Sequence, residues 1–201
     1  MDGFLRLLSP VLVGYLLGSV SFAYLLARSR GISLRQVGSG NLGATNAGRA
    51  LGPRWGGAVY FLDAAKGFLP AWYFWKTFDL DAGVLAGCGA YCGHIWPVWF
   101  QFRGGKGVAT LSGVLLALDP SIPLYGGAVM LLFVMFTRYM SVGSVAFGLS
   151  LPVIAWLRHE SWNSVVWFAL FAGLFLLFTH RSNMVRLSQG KEAQLGDSIH
   201  E

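Results

Sequence analysis

Four short segments of this chain carry side chains that could hold an anion or move a proton. The first is Gly38-Ser39-Gly40-Asn41-Leu42-Gly43-Ala44-Thr45-Asn46, followed by Arg49. Glycine lets backbone N–H groups converge on a negative charge. Ser39, Asn41, Thr45 and Asn46 add donors, and Arg49 adds a cation. The letters match G-x-G-x-x-G, but that dinucleotide fingerprint needs a preceding strand inside a βαβ unit. Here an apolar run and three arginines, Arg28, Arg30 and Arg35, come first. The anion chemistry stands without the dinucleotide fold. A re-entrant turn that merely breaks the chain is the bland alternative, and the dense alternation of glycine with donors favours anion binding over it.

The second segment, Gly93 to Thr110, reads GHIWPVWFQFRGGKGVAT. Gly104-Gly105-Lys106-Gly107 resembles half of a Walker A loop. The upstream glycine spacing and the Ser or Thr directly after the lysine are missing, which excludes an NTPase. What remains is an ammonium among flexible N–H groups at the start of a helix, again suited to phosphate. His94 on its own reads as a hydrogen-bonded bundle histidine. The common acyl-transfer signature of a histidine followed by an acid five positions on is absent, since that position is Trp99.

The third segment is Arg138-Tyr139-Met140-Ser141-Val142-Gly143-Ser144, and the fourth is His180-Arg181-Ser182-Asn183. Serines in membrane helices usually bond back to helix carbonyls, yet Ser144 near Arg138 is a candidate site donor. His180 and Asn183 are three apart and share a helical face. Asp63 and Lys66, also three apart, are expected to form a structural pair rather than do chemistry.

The elements that carry these groups follow from composition. Of 201 residues, 55% are hydrophobic and 12% charged, about half the usual charged share of a soluble domain, and the mean hydropathy is +0.56. Disorder, a basic nucleic-acid-binding domain and a disulfide-stapled secreted module are excluded. The expectation is an all-α polytopic membrane bundle. Apolar runs cover about Phe4–Ala27, Gly56–Trp75, Ala82–Phe100, Val108–Leu118, Ile122–Phe136, Val142–Leu157 and Trp162–Phe178. That makes about seven helices, although a full span needs about 20 residues and several runs are shorter. The first run has no A-x-A cleavage site and reads as a retained helix.

With the N-terminus outside, Arg28, Arg30, Arg35, Arg49, Arg54, Arg103, Lys106, Arg138, Arg181, Arg186 and Lys191 fall on the cytoplasmic side. Arg6, Lys76 and Arg158 fall outside, so the positive-inside rule puts the C-terminus in the cytoplasm. Asp2, Asp79, Asp81, Asp119 and Glu160 flank the outer ends. All four polar segments then lie on the cytoplasmic side, as for a pocket that takes a phosphate head and a greasy tail. Cys88 and Cys92 are four apart and read as small core residues within a bundle. No metal site and no cofactor are implied.

Three of these stretches, GSGNLGATNAGR, GHIWPVWFQFRGGKGVAT and RYMSVGS, with His180 and Asn183, resemble the motifs of the PlsY family. These are acyl-phosphate-dependent glycerol-3-phosphate acyltransferases of bacterial membranes. The resemblance runs from the first helix to about Leu187. It implies a seven-helix membrane bundle that moves a fatty acyl group from acyl phosphate to the 1-hydroxyl of sn-glycerol 3-phosphate. Lysophosphatidate and phosphate are the implied products, in phospholipid biosynthesis at the bacterial inner membrane. It also implies a site facing the cytoplasm and a candidate partner in the enzyme that supplies acyl phosphate.

By the same likeness the catalytic residues are Ser39, Arg49, Lys106, His180 and Asn183. Gly38, Gly40, Asn41, Thr45, Asn46, Gly104, Gly105 and Ser144 join them in binding phosphate. Whether Ser141 or Ser144 faces the site is left open by the motif. No Cys or Ser has an evident His/acid partner, so a covalent acyl-enzyme is not supported. Either His180 or a substrate phosphate takes the acceptor proton.

Residues 1–187 are expected to form one membrane domain, and 188–201 a polar, loosely ordered cytoplasmic tail. The competing class is a transporter for a phosphorylated or lipidic solute, which also uses broken polar helices. Transporters usually repeat their halves, and no internal repeat is visible here.

Overall fold

The computed structural model describes residues 2–197, and side chains from residue 7 onward. Asp2 and Arg6, two of the flanking charges counted above, and the last four residues of the tail therefore lie outside the described side chains. Among the described residues every regular element is helical. The order is α1 (Asp2–Gly18), α2 (Phe22–Arg28), α3 (Ala44–Leu51), α4 (Pro53–Thr77) and α5 (Leu80–Ile95). A 3₁₀ turn at Val98–Phe100 follows, then α6 (Val108–Leu118), α7 (Ser121–Thr137), α8 (Met140–His159), α9 (Ser164–Thr179) and α10 (Arg181–Ser188).

All seven apolar runs are helical. The first is interrupted: Ser19 turns its hydroxyl back to the Tyr15 carbonyl (2.8 Å), and Ser21 caps a new helix by accepting from the Tyr24 N–H (3.3 Å). The third run stops at Ile95, before Pro97. Leu7–Arg28 and Met140–His159 are long and apolar enough to cross a membrane. The pair α9 and α10, bent by 47°, makes a third candidate. The eleven residues of α6 extend only about 16 Å. Large apolar side chains face outward, with Phe61 73%, Met135 77% and Phe136 82% exposed, as a lipid solvent allows.

The chain falls into two compact units, divided after Leu118. In the first, α1 packs on α5 through two small-residue stripes that let the main chains approach closely. A side chain at Gly14 or Gly18 would strike the carbonyl of Ala86 or Ala90. One at Gly89 or Gly93 would strike that of Val11 or Tyr15. The α4–α6 contact uses the same device, with Gly67 against Thr110 and Gly113 against Ala64. These contacts carry the end of α5, and hence His94, beside α4. A satellite core of Ala23, Ala27, Leu34, Leu42, Ala47 and Val59 fixes the polar segment between α2 and α4.

In the second unit, α8 lies between α7 and α9. Gly126 of α7 faces Phe147 and Leu151, and Gly148 of α8 meets Gly173 of α9. Asp119 closes one end. It accepts from the Ser121 N–H (2.9 Å) and hydroxyl (2.5 Å) and lies 3.2 Å from His159 Nε2. Near the same end of α8, Trp156, Trp162 and Trp167 form a ladder with ring centroids 4.8 and 4.6 Å apart, the kind of aromatic group that settles at a membrane–water boundary.

Candidate functional site

The first glycine segment is a loop held from within by Asn46. This buried side chain accepts from the Ser39 N–H (3.0 Å) and directs its amide nitrogen at the carbonyls of Leu34 (3.2 Å), Val37 (3.1 Å) and Asn41 (3.0 Å). Asn46 is therefore the scaffold of the loop, although its type alone suggested a ligand donor. Gly38 (φ 58°) and Gly40 (φ 68°) occupy the left-handed region, which other residues enter at a cost. The Gly40 N–H bonds to Val37 (3.1 Å).

Ser39 and Thr45 remain exposed and Asn41 is half-buried. The loop runs into α3, whose first residue is preceded by Gly43 with no side-chain cap. Its N–H groups and dipole thus suit an anion. Thr45 and Arg49 stand four apart on α3, on one face.

The second glycine segment returns along the end of α5. The Gly104 N–H bonds to the Ile95 carbonyl (3.0 Å) and the Gly105 N–H to the His94 carbonyl (3.1 Å). Between them the chain reverses at Gln101 (φ 58°) and Phe102 (φ 56°), two non-glycine residues in the left-handed region. Lys106 is half-buried, flanked by two buried glycines, and α6 starts two residues later.

Arg35 joins the two loops. Its guanidinium donates to the Gln101 side chain (3.0 Å) and to the Phe100 carbonyl (2.6 Å), while Tyr24 packs its ring on Phe100 at 4.8 Å. The two phosphate-suited segments of the first unit are thereby one structure. In the sequence Arg35 is one of several cations on the side expected to be cytoplasmic, and nothing in its neighbours marks it as the tie.

Beneath the second loop lies a buried polar cluster. Lys66 Nζ is 2.8 Å from Asp63 and donates to the Val20 carbonyl (2.6 Å) in the break between α1 and α2. His94 Nδ1 stands 3.8 Å from Asp63. The expected Asp63–Lys66 pair is present, and His94 belongs with it. Cys88 is half-buried and Cys92 exposed, so Cys92 is not the core residue expected. Among the described residues, no three His, Cys, Asp or Glu side chains gather as metal ligands.

In the second unit, Ser141, Ser144, His180 and Asn183 are all buried. Ser144 bonds back to the Met140 carbonyl (2.7 Å). His180 occupies the bend between α9 and α10, its Nδ1 2.9 Å from the Leu176 carbonyl. Asn183 donates to Glu192 (2.5 Å), which also accepts from Arg186 Nε (2.8 Å).

Glu192 is the residue that the sequence reading missed. It sits in the tail expected to be loose, yet it is buried, and the Leu195 N–H bonds to the Arg138 carbonyl (2.7 Å). Burial alone would raise its carboxyl pKa. Hydrogen bonds from Asn183, Ser141 and Arg186, with the charge of Arg186, prevail and hold it below the usual 4.5, because each favours the ionised form. The only signal in the sequence was an acid nine residues beyond Asn183, in a basic stretch.

The pattern of the glycerol-3-phosphate acyltransferase family matches residues 8–190. The glycerol-3-phosphate acyltransferase of Aquifex aeolicus is 41% identical over 190 residues, covering 94% of this chain and 98% of its own. One from Thermus thermophilus is 42% identical over 194 residues, covering 94% and 95%. Two crystal structures of PlsY, an integral membrane glycerol 3-phosphate acyltransferase, superimpose closely. Its glycerol 3-phosphate form gives a TM-score of 0.90 at 40% identity, with 94% of this chain and 96% of that one covered. Its lysophosphatidic acid form gives 0.87 at 38%, with 94% and 95% covered. The chain belongs to the glycerol-3-phosphate acyltransferase family.

Proposed function

We propose that this protein transfers a fatty acyl group from acyl phosphate to the 1-hydroxyl of sn-glycerol 3-phosphate. The observation that carries the reading is the coupling, through Arg35, of two glycine loops suited to anions, one bearing Ser39 and Arg49 and the other Lys106. The donor is a mixed anhydride, so its acyl carbon is already activated. The acceptor O1 forms the new ester bond, the bond from the acyl carbon to the phosphate oxygen breaks, and inorganic phosphate leaves. The acceptor proton passes to His180 or to a substrate phosphate.

Such a reaction asks the protein chiefly to bring two anions together and to stabilise the developing oxyanion. Arg49 and Lys106 supply charge for phosphate groups. Ser39, Thr45 and the N–H groups entering α3 supply neutral donors. Ser144, His180 and Asn183 serve the acceptor, and Asn46 shapes the first loop instead of touching ligand. No step calls for a metal or an acyl-enzyme.

The positive-inside count supports a seven-helix arrangement in a bacterial inner membrane, with the N-terminus outside and the four polar segments facing the cytoplasm. Residues 1–187 would then be the membrane acyltransferase and 188–201 a cytoplasmic tail anchored through Glu192. The enzyme that supplies acyl phosphate is the natural partner.

Purified protein given acyl phosphate and glycerol 3-phosphate is expected to release lysophosphatidate and phosphate in equal amounts. Acyl-CoA and acyl-carrier protein should give none. Absence of product with acyl phosphate, or equal product with acyl-CoA, would overturn the donor assignment. His180→Ala retaining near-normal turnover would assign the proton to a substrate phosphate.

A further inference from the structure

We infer that His94 is a positioning residue for the Lys106 loop, its imidazole forming the surface on which Gly105 is seated. The inference rests on the proposed role of that loop in binding a substrate phosphate.

Four observations carry it. A Cβ at Gly105 would collide with His94 Nε2, so the main chain there lies directly against the imidazole. The carbonyl of the same histidine accepts the Gly105 N–H (3.1 Å), fixing the loop from a second direction. One turn earlier on α5, the ring of Tyr91 meets Gly107 (φ 93°) in the same way, so the residues on both sides of Lys106 rest on the C-terminal end of α5. Behind the imidazole stands Asp63, 3.8 Å from Nδ1, itself held by Lys66 at 2.8 Å.

His94 is only 5% exposed, and its Nδ1 has no hydrogen-bond partner. At 3.8 Å the Asp63 contact is beyond hydrogen-bonding distance. Polar groups buried in this way are retained at a cost. A ring that only filled space could be any apolar residue. Here it is backed by an ion pair whose lysine reaches the Val20 carbonyl in the α1–α2 break (2.6 Å). The loop is thus referenced to two helices, α5 and α4, and to the α1–α2 break, and a bulkier or smaller surface at position 94 would move Lys106.

The test is a double-mutant cycle between His94 and Gly105, because coupled sites depart from additivity whereas independent ones do not. Gly105→Ala alone, which drives a methyl into the imidazole, should raise the KM of one phosphorylated substrate about tenfold while kcat falls far less. His94→Ala alone should raise the same KM more modestly. Together, His94→Ala makes room for the methyl, and the double variant should return to the level of His94→Ala alone.

Effects that multiply in the double variant would overturn the inference, as would a Gly105→Ala enzyme with unchanged KM for both substrates. Thermal unfolding with and without inorganic phosphate gives a second readout independent of turnover. The stabilisation by phosphate should be lost in Gly105→Ala and regained in the double variant, and no such recovery would also overturn it. Lys106→Ala separates the two readings. Unchanged KM and kcat in that variant would refute the phosphate role of the loop, while coupling between positions 94 and 105 would still appear in the unfolding midpoints.

Discussion

Up to Leu118 the two glycine loops are held through hydrogen bonds to main-chain atoms, whereas in Asp119–Asp197 the side chains of Ser141, Asn183 and Arg186 meet at the carboxylate of Glu192. The loop around Ser39 is held by Asn46 bonding to three carbonyls and one N–H. The loop around Lys106 is held by N–H groups returned to α5. In both, shape is set by uncharged hydrogen bonds that end on backbone atoms. Around Asn183, by contrast, Glu192 gathers an amide and a guanidinium, and charge does the holding. A backbone-built site should respond to steric change and be nearly indifferent to pH. A carboxylate-built one should respond to charge and to acid.

Removal of the cation is the harshest way to separate the two. Lys106→Ala should lower kcat/KM by about a hundredfold or more, the scale of losing one preorganised electrostatic group. Its unfolding midpoint should stay close to that of the parent, because Lys106 is half-buried and the loop is fixed by main-chain bonds. A turnover assay beside a thermal scan checks both halves. Loss of stability on the same scale as loss of activity would mean that Lys106 builds the loop as well as using it.

Asn46→Ala attacks the scaffold itself. The carbonyls of Leu34, Val37 and Asn41 would lose their donor and the Ser39 N–H its acceptor together, a cost of about 3 to 4 kcal/mol at about 1 kcal/mol for each hydrogen bond. Activity should fall about tenfold as the loop loosens. Hydrogen exchange over residues 34–46 should accelerate while α5 to α7 stay protected. Unchanged exchange there would show that the glycine turn holds its shape without the side chain.

These differences explain what could be seen in the sequence. The seven apolar runs are all helical, and α6 has the boundaries read from hydropathy, because burial in lipid leaves a long uncharged signature. The glycine loops were visible because glycine and donors alternate locally. What escaped notice depends on distance along the chain. Arg35 reaches Gln101 across 66 residues, and neither letter advertises the other. Glu192 meets Ser141 and Asn183 from a tail whose composition resembles a solvated one. The stripes Gly14/Gly18 and Gly89/Gly93 were present as letters, but only packing shows that they face one another. The loop-building role of Asn46 is invisible in the letters, because an amide that builds a loop and one that binds a phosphate are the same residue type.

The carboxylate-built region has its own test. Because the pKa of Glu192 in the folded protein lies below the usual 4.5, its contribution is complete above pH 4.5. That contribution fades as the pH falls through the lower folded value. Glu192→Gln should cost about 2 kcal/mol near neutrality, the worth of hydrogen bonds to a charged group. The gap between parent and variant should narrow below pH 4.5, and unfolding midpoints measured from about pH 7 downward report it. A gap that stays constant down to about pH 3 would mean that shape, not charge, matters at this position too.

Ser141→Ala is the mildest of these changes and separates the two serines that the motif left open. The buried Ser141 hydroxyl meets no partner at full hydrogen-bonding geometry, yet it adds a pull on the Glu192 carboxyl. Removing it relieves an imperfectly satisfied polar group and weakens one support of the carboxylate. The two effects oppose each other, so stability should change by no more than about 0.5 kcal/mol. Ser144 spends its proton on the Met140 carbonyl (2.7 Å), which leaves its oxygen lone pairs for another donor. Ser144→Ala should therefore also be mild in stability. If Ser144 serves the acceptor, the variant should raise the KM for glycerol 3-phosphate several-fold, while Ser141→Ala leaves that KM in place and shifts only the acid limb of unfolding. The opposite pattern would make Ser141 the substrate-facing serine and place the Glu192 cluster in contact with ligand.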